Sequence, residues 1–418
     1  MRCSGACTKP TRPSSSASTR PSRWPDRWPR RCKLRVELMD LAVIALSARP
    51  LAASAARAGF AALSLDLFAD LDTCANAARC VRVHKKNGFS FDGDDLIQAL
   101  ANLSPPGLPV VLGGGFEDDT PLMTRIAERN PILGNMAETV RVLKDPLALA
   151  ALCGHLGIAF PPVTLDAPDG ALAEAPLLEK KIGGAGGSHI RRRAPEETGP
   201  PAPGHYLQRE VSGTAYSLLI LSNGKEALPV GASWQWSHSD STHPFRYGGA
   251  VGPVPLPAKH AAAILAGALR IATVCGLVGL ISVDVLVEAD RWWLVEINPR
   301  IGASIDIFDV DPMPPLLALH LAACGGKLPK ALPQPKGATA AGILYAERDV
   351  MIPAGAWPNH VCDRTAAGTI IPAGAPICTV KRTASDMSAA VAQVRDGLAE
   401  MRNHLGLPQS QQVASSEA

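Results

Sequence analysis

Asp284, Glu296 and Asn298 lie in LISVDVLVEADRWWLVEINPR, residues 280–300, and are the residues of this chain best suited to hold a cation. Two short runs rich in Val, Ile, Leu and Trp flank the polar turn Glu288-Ala289-Asp290-Arg291. That pattern predicts an antiparallel hairpin. Strand side chains alternate faces, so Asp284 is expected to share a face with Ser282 and Leu286, and Glu296 and Asn298 to share one with Leu294. Two acids among apolar neighbours are costly without a counter-charge, so something cationic belongs beside them. An all-oxygen donor set with no His or Cys nearby suits Mg2+ better than zinc.

A second group of residues has the chemistry of an anion cradle. The run APLLEKKI (175–182) predicts a strand that delivers Lys180 and Lys181 into GGAGGSHIRRR. Glycines at 183, 184, 186 and 187 followed by Ser188 expose backbone N–H groups next to a lysine, which favours phosphate binding over a plain surface hairpin. The lysine precedes the glycines, so this is not the GxxxxGK[ST] loop. Arg246 and Tyr247, among the glycines of HPFRYGGAVGP, read either as a substrate-facing loop or as a plain mobile one.

The elements around these residues alternate. LAVIAL (41–46), a helix over 50–58 closed by Gly59, AALSLDLF (61–68) and LPVVL (108–112) have the rhythm of an open parallel sheet with crossover helices. Ligands bind such sheets at the carboxyl ends of the strands, which points to the loop Ser47 to Pro50. No GxGxxG follows, so a dinucleotide is not indicated. Gly113 to Gly115 reads equally as a close-approach loop or a tight turn. Asp145 and Pro146 predict the start of a helix ending at Gly157. HYLQREV (205–211) and AYSLLILSNG (215–224) read as strands, and 234–253 as a polar, Gly-rich excursion. A helix over 258–275 stops at Gly276 and leads straight into the hairpin. After Pro335 a β-rich segment predicts a small barrel-like cap, and Val391, Val394, Leu398, Met401 and Leu405 mark one face of a last helix.

The chain has 418 residues, 47% of them hydrophobic, enough for two or three domains. Residues 1–33 hold nine Lys or Arg against one acid, Asp26; with a total charge of +3, about −5 is left for the rest. That remainder does not suggest a nucleic-acid surface. The Ser-, Pro- and Arg-rich start is expected to be disordered, either a transit-like peptide or a start-site extension without function. No apolar run reaches a membrane-spanning length. Ten cysteines without a CxxC pair are expected to be free thiols in a reducing cytoplasm.

A lysine before a helix (Lys144), a lysine and glycine loop, a strand ending at a turn, and a hairpin with paired carboxylates come in the order of the ATP-grasp superfamily. The resemblance covers roughly residues 40–385. Its most specific part, Asp284 followed by Glu296-Ile297-Asn298-Pro299-Arg300, is similar to biotin carboxylase and D-alanine-D-alanine ligase. It implies an α/β fold of the α+β ATP-grasp kind. The expected parts are a basic tail (1–35), a Rossmann-like pre-ATP-grasp domain (36–143), an ATP-grasp core with lobes 144–210 and 211–330, a β-rich segment with a helix (331–406), and a tail (407–418).

The resemblance also implies roles. Lys144 and Lys180 resemble the lysines that hold the ATP phosphates, with Gly183 to Ser188 closing over them. Gln208 takes the place of a glutamate facing the adenine amino group, with Arg209 and Val211 offering hinge backbone. Asp284, Glu296 and Asn298 resemble the ligands of two Mg2+ ions, for which Mn2+ can substitute. Arg300 resembles the arginine that steadies the transferred phosphoryl group, and it is grouped with Lys180 as catalytic. One departure is Ala215, where a glutamate usually holds the ribose; either Tyr216 or Ser217 takes over or nucleotide affinity is weaker.

The activity implied is a carboxylate–amine ligase that forms an acyl phosphate and releases ADP and phosphate. Among ligases the chain is similar to the tyramine–glutamate ligase kind of methanofuran pathways, which points to an amino acid such as glutamate. The alternatives are a bicarbonate-dependent carboxylase of the biotin carboxylase or carboxyaminoimidazole ribonucleotide synthase kind, and an ATP-binding scaffold without turnover. Partners are expected to be small molecules and a second copy in a homodimer, with no nucleic acid and no membrane.

Overall fold

Four parallel strands begin the architecture: Leu41–Ile44, Ala62–Asp66, Arg79–Arg82 and Val110–Leu112. The computed structural model describes residues 39–408 apart from residues 87 and 241, so the expectations for the basic tail and for the chain beyond 408 fall outside the described residues. The strands lie in the order third, second, first, fourth. The first, second and fourth are buried along their whole length, which is why they read as continuous apolar runs rather than alternating ones. Strand order reverses between the first and fourth strands. The loops after both, Ser47 to Arg49 and Gly113 to Gly115, therefore sit side by side where such sheets receive ligands.

Two helices follow, Ala137–Lys144 and Pro146–Leu156, with Asp145 between them. The Asp145 carboxylate accepts from the N–H groups of Leu147 and Ala148, Pro146 fills the first helical position, and Gly157 closes the helix in the left-handed region at φ 68°. This fixes Lys144 at the end of the shorter helix, an element the sequence reading did not include. A four-stranded antiparallel sheet comes next, in the order Val163–Thr164, His205–Arg209, Leu177–Lys181, Ile190–Arg192.

The largest sheet has eight antiparallel strands. Trp292–Asn298 lies at one edge, followed by Val278–Val287, Thr214–Asn223, Ala227–Ser237, Tyr247–Gly252, Ala338–Tyr345, Pro376–Ala384 and Val361–Cys362. The stretch read as a polar excursion over 234–253 thus contains the end of one sheet strand, Trp234 to Ser237, and the whole of the next, Tyr247–Gly252. The C-terminal segment is β-rich as expected, but three of its strands extend this sheet instead of closing a barrel of their own. Helix Ala258–Val274 buries Ile264, Ala268 and Ile271 against Leu218, Ile220, Ile281 and Val283. Helix Met387–His404 buries Val391, Val394 and Met401 on the C-terminal strands.

Cys74 and Cys80 form a disulfide, contrary to the expectation that all thiols are free; five other described cysteines are free. The bond ties the helix Leu71–Asn76 to the edge strand that follows it. No helix among the described residues is long and apolar enough to cross a membrane.

Candidate functional site

The hairpin is Val278–Val287 paired with Trp292–Asn298, turning at 288–291 as expected. Asp284 lies opposite Glu296 and Ser282 opposite Asn298. A β-bulge then shifts the register, so that Leu294 pairs with Val285 and is fully buried in the core under the sheet. Leu294 therefore does not share a face with Glu296, as strict alternation would require; one inserted residue reverses the facing of what precedes it. The buried face carries Ile281, Val283, Val285, Leu294 and Ile297. At about 1.5–3 kcal/mol per buried aliphatic side chain, that face holds the hairpin in place against the cost of its acids.

The polar face is a closed hydrogen-bonded set. Asp284 accepts from Ser217 Oγ at 2.5 Å and from Asn298 Nδ2 at 2.9 Å. The Lys144 ammonium donates to Glu296 Oε1 at 2.6 Å and to Asn298 Oδ1 at 2.8 Å. Asn298 Oδ1 also receives Arg300 at 3.2 Å. Burial first, and then repulsion from Glu296, pushes the Asp284 carboxyl up to about 6. For Glu296 burial acts upward too, but Lys144 outweighs it and lowers the carboxyl below its usual range.

Arg300 is anchored by a residue the sequence reading did not single out. Its Nε donates to Glu117 Oε1 at 2.6 Å, while the other Glu117 oxygen takes the N–H groups of Gly115 and Phe116. Burial would raise the Glu117 carboxyl, but Arg300 and Lys144 bring it down to about 2. A glutamate two residues beyond three glycines was the only signal available for it.

The second sheet brings Lys180 from the other side. Leu177 to Lys180 are all buried, and only Lys181, at the end of the strand, is exposed, its ammonium paired with Asp118 at 2.5 Å. Lys180 donates to Gln208 Oε1 at 2.7 Å, and burial lowers its pKa to about 8, with Glu296 opposing the shift and Lys144 adding to it. The glycines of 183–188 are demanded by close approach. A Cβ on Gly183 (φ +73°) would lie 2.4 Å from the Glu117 carbonyl oxygen, and one on Gly187 (φ +75°) 1.9 Å from that of Phe245. The Gly186 carbonyl accepts from Tyr247 N at 2.9 Å, so the loop is docked on the segment beside it. His189 follows the loop and faces the same polar set; burial lowers its pKa to about 4.

These groups line one cavity of about 1060 Å3, which includes Lys144, Lys180, Gly183 to Ser188, Asp284, Glu296, Asn298 and Arg300. That exceeds the usual ~300–1,000 Å3 of a ligand site and leaves room for more than one small molecule. Val211 lines it, together with Glu210, Ser212 and Gly213. Gln208 and Arg209 do not: Gln208 is 1% exposed and engaged by Lys180, and Arg209 is exposed outside the lining. Strand alternation moves the cavity-facing hinge to the residues after them. Ala215 and Tyr216 also face the cavity, whereas the Ser217 hydroxyl is taken up by Asp284. Arg246 and Tyr247 lie in the wall, but Arg246 is not free: it pairs with Asp240 at 3.0 Å and stacks on Tyr345, 4.0 Å from the ring centre.

Among the described residues no three His, Cys, Asp or Glu side chains are grouped as a metal site. Two carboxylates and one amide oxygen still fit Mg2+, which is commonly held by one or two carboxylates and completed by substrate phosphates. In this arrangement the Asn298 oxygen is taken by Lys144 and Arg300 and its NH2 faces Asp284, so a metal ion would have to displace one of these cations to gain the amide oxygen.

Residues 147–304 match the family model of the ATP-grasp domain. The chain has an ATP-grasp fold. The biotin carboxylase domain of Hydrogenobacter thermophilus 2-oxoglutarate carboxylase, a dimer in complex with MgADP, ADP and bicarbonate, is similar with a TM-score of 0.66. It is 12% identical, over 86% of this chain and 90% of that one. Campylobacter jejuni biotin carboxylase has a TM-score of 0.64 at 15% identity, over 85% and 90%. Rhizobium etli pyruvate carboxylase has a TM-score of 0.68 at 14% identity, over 88% of this chain and 39% of that larger one. No curated protein matches in sequence. Across these ATP-grasp structures fold is shared while sequence has diverged.

Proposed function

We propose that this ATP-grasp chain is an ATP-dependent carboxylate–amine ligase that activates its carboxylate as an acyl phosphate. One observation carries the reading. The acids of the hairpin and the lysines of two other elements converge on one cavity, with Lys144 3 Å or less from both Glu296 and Asn298.

A carboxylate that attacks the terminal phosphate of ATP approaches an anionic centre, so positive charge must be fixed there beforehand. Lys180 supplies it from the smaller sheet, Lys144 from the end of the helix Ala137–Lys144, and Arg300, held by Glu117, from the hairpin. Asp284, Glu296 and Asn298 would hold Mg2+, which supplies charge neutralisation between the phosphates. The loop 183–188, docked on Phe245 and Tyr247, keeps water from the activated carboxyl until an amine attacks it. In this reading Glu210 to Gly213 give the hinge for adenine and Tyr216 takes the ribose side. Arg246 and Tyr247 belong to the wall nearest the acceptor. The amine or acid partner is of the amino-acid class, glutamate among them.

A second reading, bicarbonate-dependent carboxylation, is favoured by the extent of the likeness to biotin carboxylases, which covers the C-terminal strands as well as the ATP-grasp domain. One experiment separates the two: phosphate release from Mg-ATP screened against amino acids, amines and bicarbonate. Release that needs an acid and an amine together supports the ligase; release with bicarbonate alone supports the carboxylase. Glu296→Gln is expected to abolish turnover, and a variant that kept near-full activity would overturn the assignment.

A further inference from the structure

A second cavity, of about 680 Å3, shares Arg49, Pro50, Ile305 and Asp306 with the first and opens between the helices Arg49–Arg57 and Leu71–Asn76 and the C-terminal strands. Four cations line it, Arg49, Arg57, Arg364 and Lys381, against three carboxylates, Asp72, Asp306 and Asp309. Every one of those carboxylates is engaged. Asp306 takes Arg49 through both oxygens, Asp309 takes Arg57 at 2.7 Å, and Asp72 accepts the N–H groups of Asp363 and Arg364.

Two of the cations are not matched in this way. Arg364 donates to the carbonyls of Val361 at 2.7 Å and Asn359 at 3.3 Å and reaches no carboxylate. Lys381 forms no salt bridge or side-chain hydrogen bond among the described residues. Both are half-buried, so solvent screens them less than it would a surface lysine. Trp357 completes the wall, its indole N–H tied to the Thr365 carbonyl at 3.1 Å, with Ala53, Leu71 and Ala75 also facing in.

We propose that this cavity binds a small molecule that joins an oxyanion, phosphate or carboxylate, to a flat apolar ring, the oxyanion held by Arg364 and Lys381 and the ring lying against Trp357. Among the described residues Arg364 and Lys381 are in no salt bridge, although Asp72, bonded only by backbone N–H groups, lies in the same wall, so an arriving oxyanion gains charge-assisted hydrogen bonds without breaking an ion pair. The volume lies within the range of ligand cavities, about 300–1,000 Å3. The site is separate from the nucleotide lysines and stands whether or not ATP binds the first cavity.

The test uses the full chain, titrated calorimetrically with phenyl phosphate, benzoate and inorganic phosphate. One-to-one binding of phenyl phosphate or benzoate, tighter than inorganic phosphate, is expected, and the stronger of the two names the oxyanion. Lys381→Gln and Arg364→Gln should each weaken it about tenfold or more, the loss of one charge-assisted hydrogen bond. Lys381 forms no salt bridge or side-chain hydrogen bond among the described residues, so its variant keeps the test valid if the Arg364 change disturbs folding. Lys180→Ala should leave binding unchanged. No binding at millimolar concentration, binding indifferent to Lys381→Gln, or binding abolished by Lys180→Ala overturns the proposal, the last by placing the anion in the first cavity.

Discussion

Replacing Glu117 by Gln tests whether the charge behind Arg300 is as important as its geometry indicates. The Glu117 side chain is 2% exposed and carries the ion pair with Arg300 at 2.6 Å. Its carboxyl falls from 4.5 to about 2 in the folded chain. At about 1.4 kcal/mol per unit, that is about 3 kcal/mol of stability from the ionised form. The figure agrees with the ~3–5 kcal/mol for breaking a buried pair and leaving one charge alone. A lowered carboxyl contributes fully above its unfolded value of 4.5, and the contribution is lost as pH falls towards about 2. Glu117→Gln is therefore expected to cost about 3 kcal/mol in urea unfolding at neutral pH. Its deficit against the parent should narrow as pH is lowered from 4.5. A deficit under about 1 kcal/mol, the level of an exposed pair, or one that stays constant through that window, would refute the reasoning.

Asp70 presents the opposite case: burial, then repulsion from Asp363, Asp66 and Asp72, raises it from 3.8 to about 7. Its favourable contribution is present below 3.8 and lost as pH rises through 7, so Asp70→Asn should stabilise the chain above neutrality by up to about 4 kcal/mol, read from unfolding at both ends of the range. Lys180, lowered to about 8, should regain a proton when a polyphosphate arrives. Mg-ATP titrations near about pH 8.5 should then show proton uptake, visible as a dependence of the heat on buffer ionisation enthalpy, that fades towards neutrality. Gly187→Ala should detach the 183–188 loop from Phe245 and speed trypsin cleavage at the adjoining, already exposed Arg191 and Arg192; unchanged digestion would count against a docked loop.

Much of the site was legible because it follows local rules. The hairpin shows as two apolar runs around a polar turn, Asp145-Pro146 as a helix start, and Lys180 as a charge at the end of a strand. What stayed hidden depends on partners far away in the chain. Glu117 and Arg300 are 183 residues apart, and nothing in Gly-Phe-Glu announces an arginine. The bulge that turns Leu294 inward leaves no trace in a period-two pattern. The strand Tyr247–Gly252, YGGAVG, looked like a loop because its glycines serve packing: a Cβ on Gly249 would fall 2.3 Å from the Trp236 ring across the pair. The Cys74–Cys80 bond was missed because composition argues about compartments and says nothing of two sulfurs brought together by one short helix.

The eight-stranded sheet that begins at the hairpin and ends at Val361–Cys362 bears on how this chain can be taken apart. A cut at Pro335, where the composition changes, would strip Ala338–Tyr345 from Tyr247–Gly252 and leave a raw row of backbone donors and acceptors open to aggregation. It would also take Asp363 from Arg49 and the backbone partners from Asp72. Residues from Met39 onward form one compact unit, and shortened or chimeric versions should be joined at hairpin turns, with the sheet kept whole. The turn at 288–291, which joins the edge strand to its neighbour, takes a tag or a fused module without breaking a strand pairing, at the expense of the bonds that Lys259 and His260 make to Asp290 and Ala289.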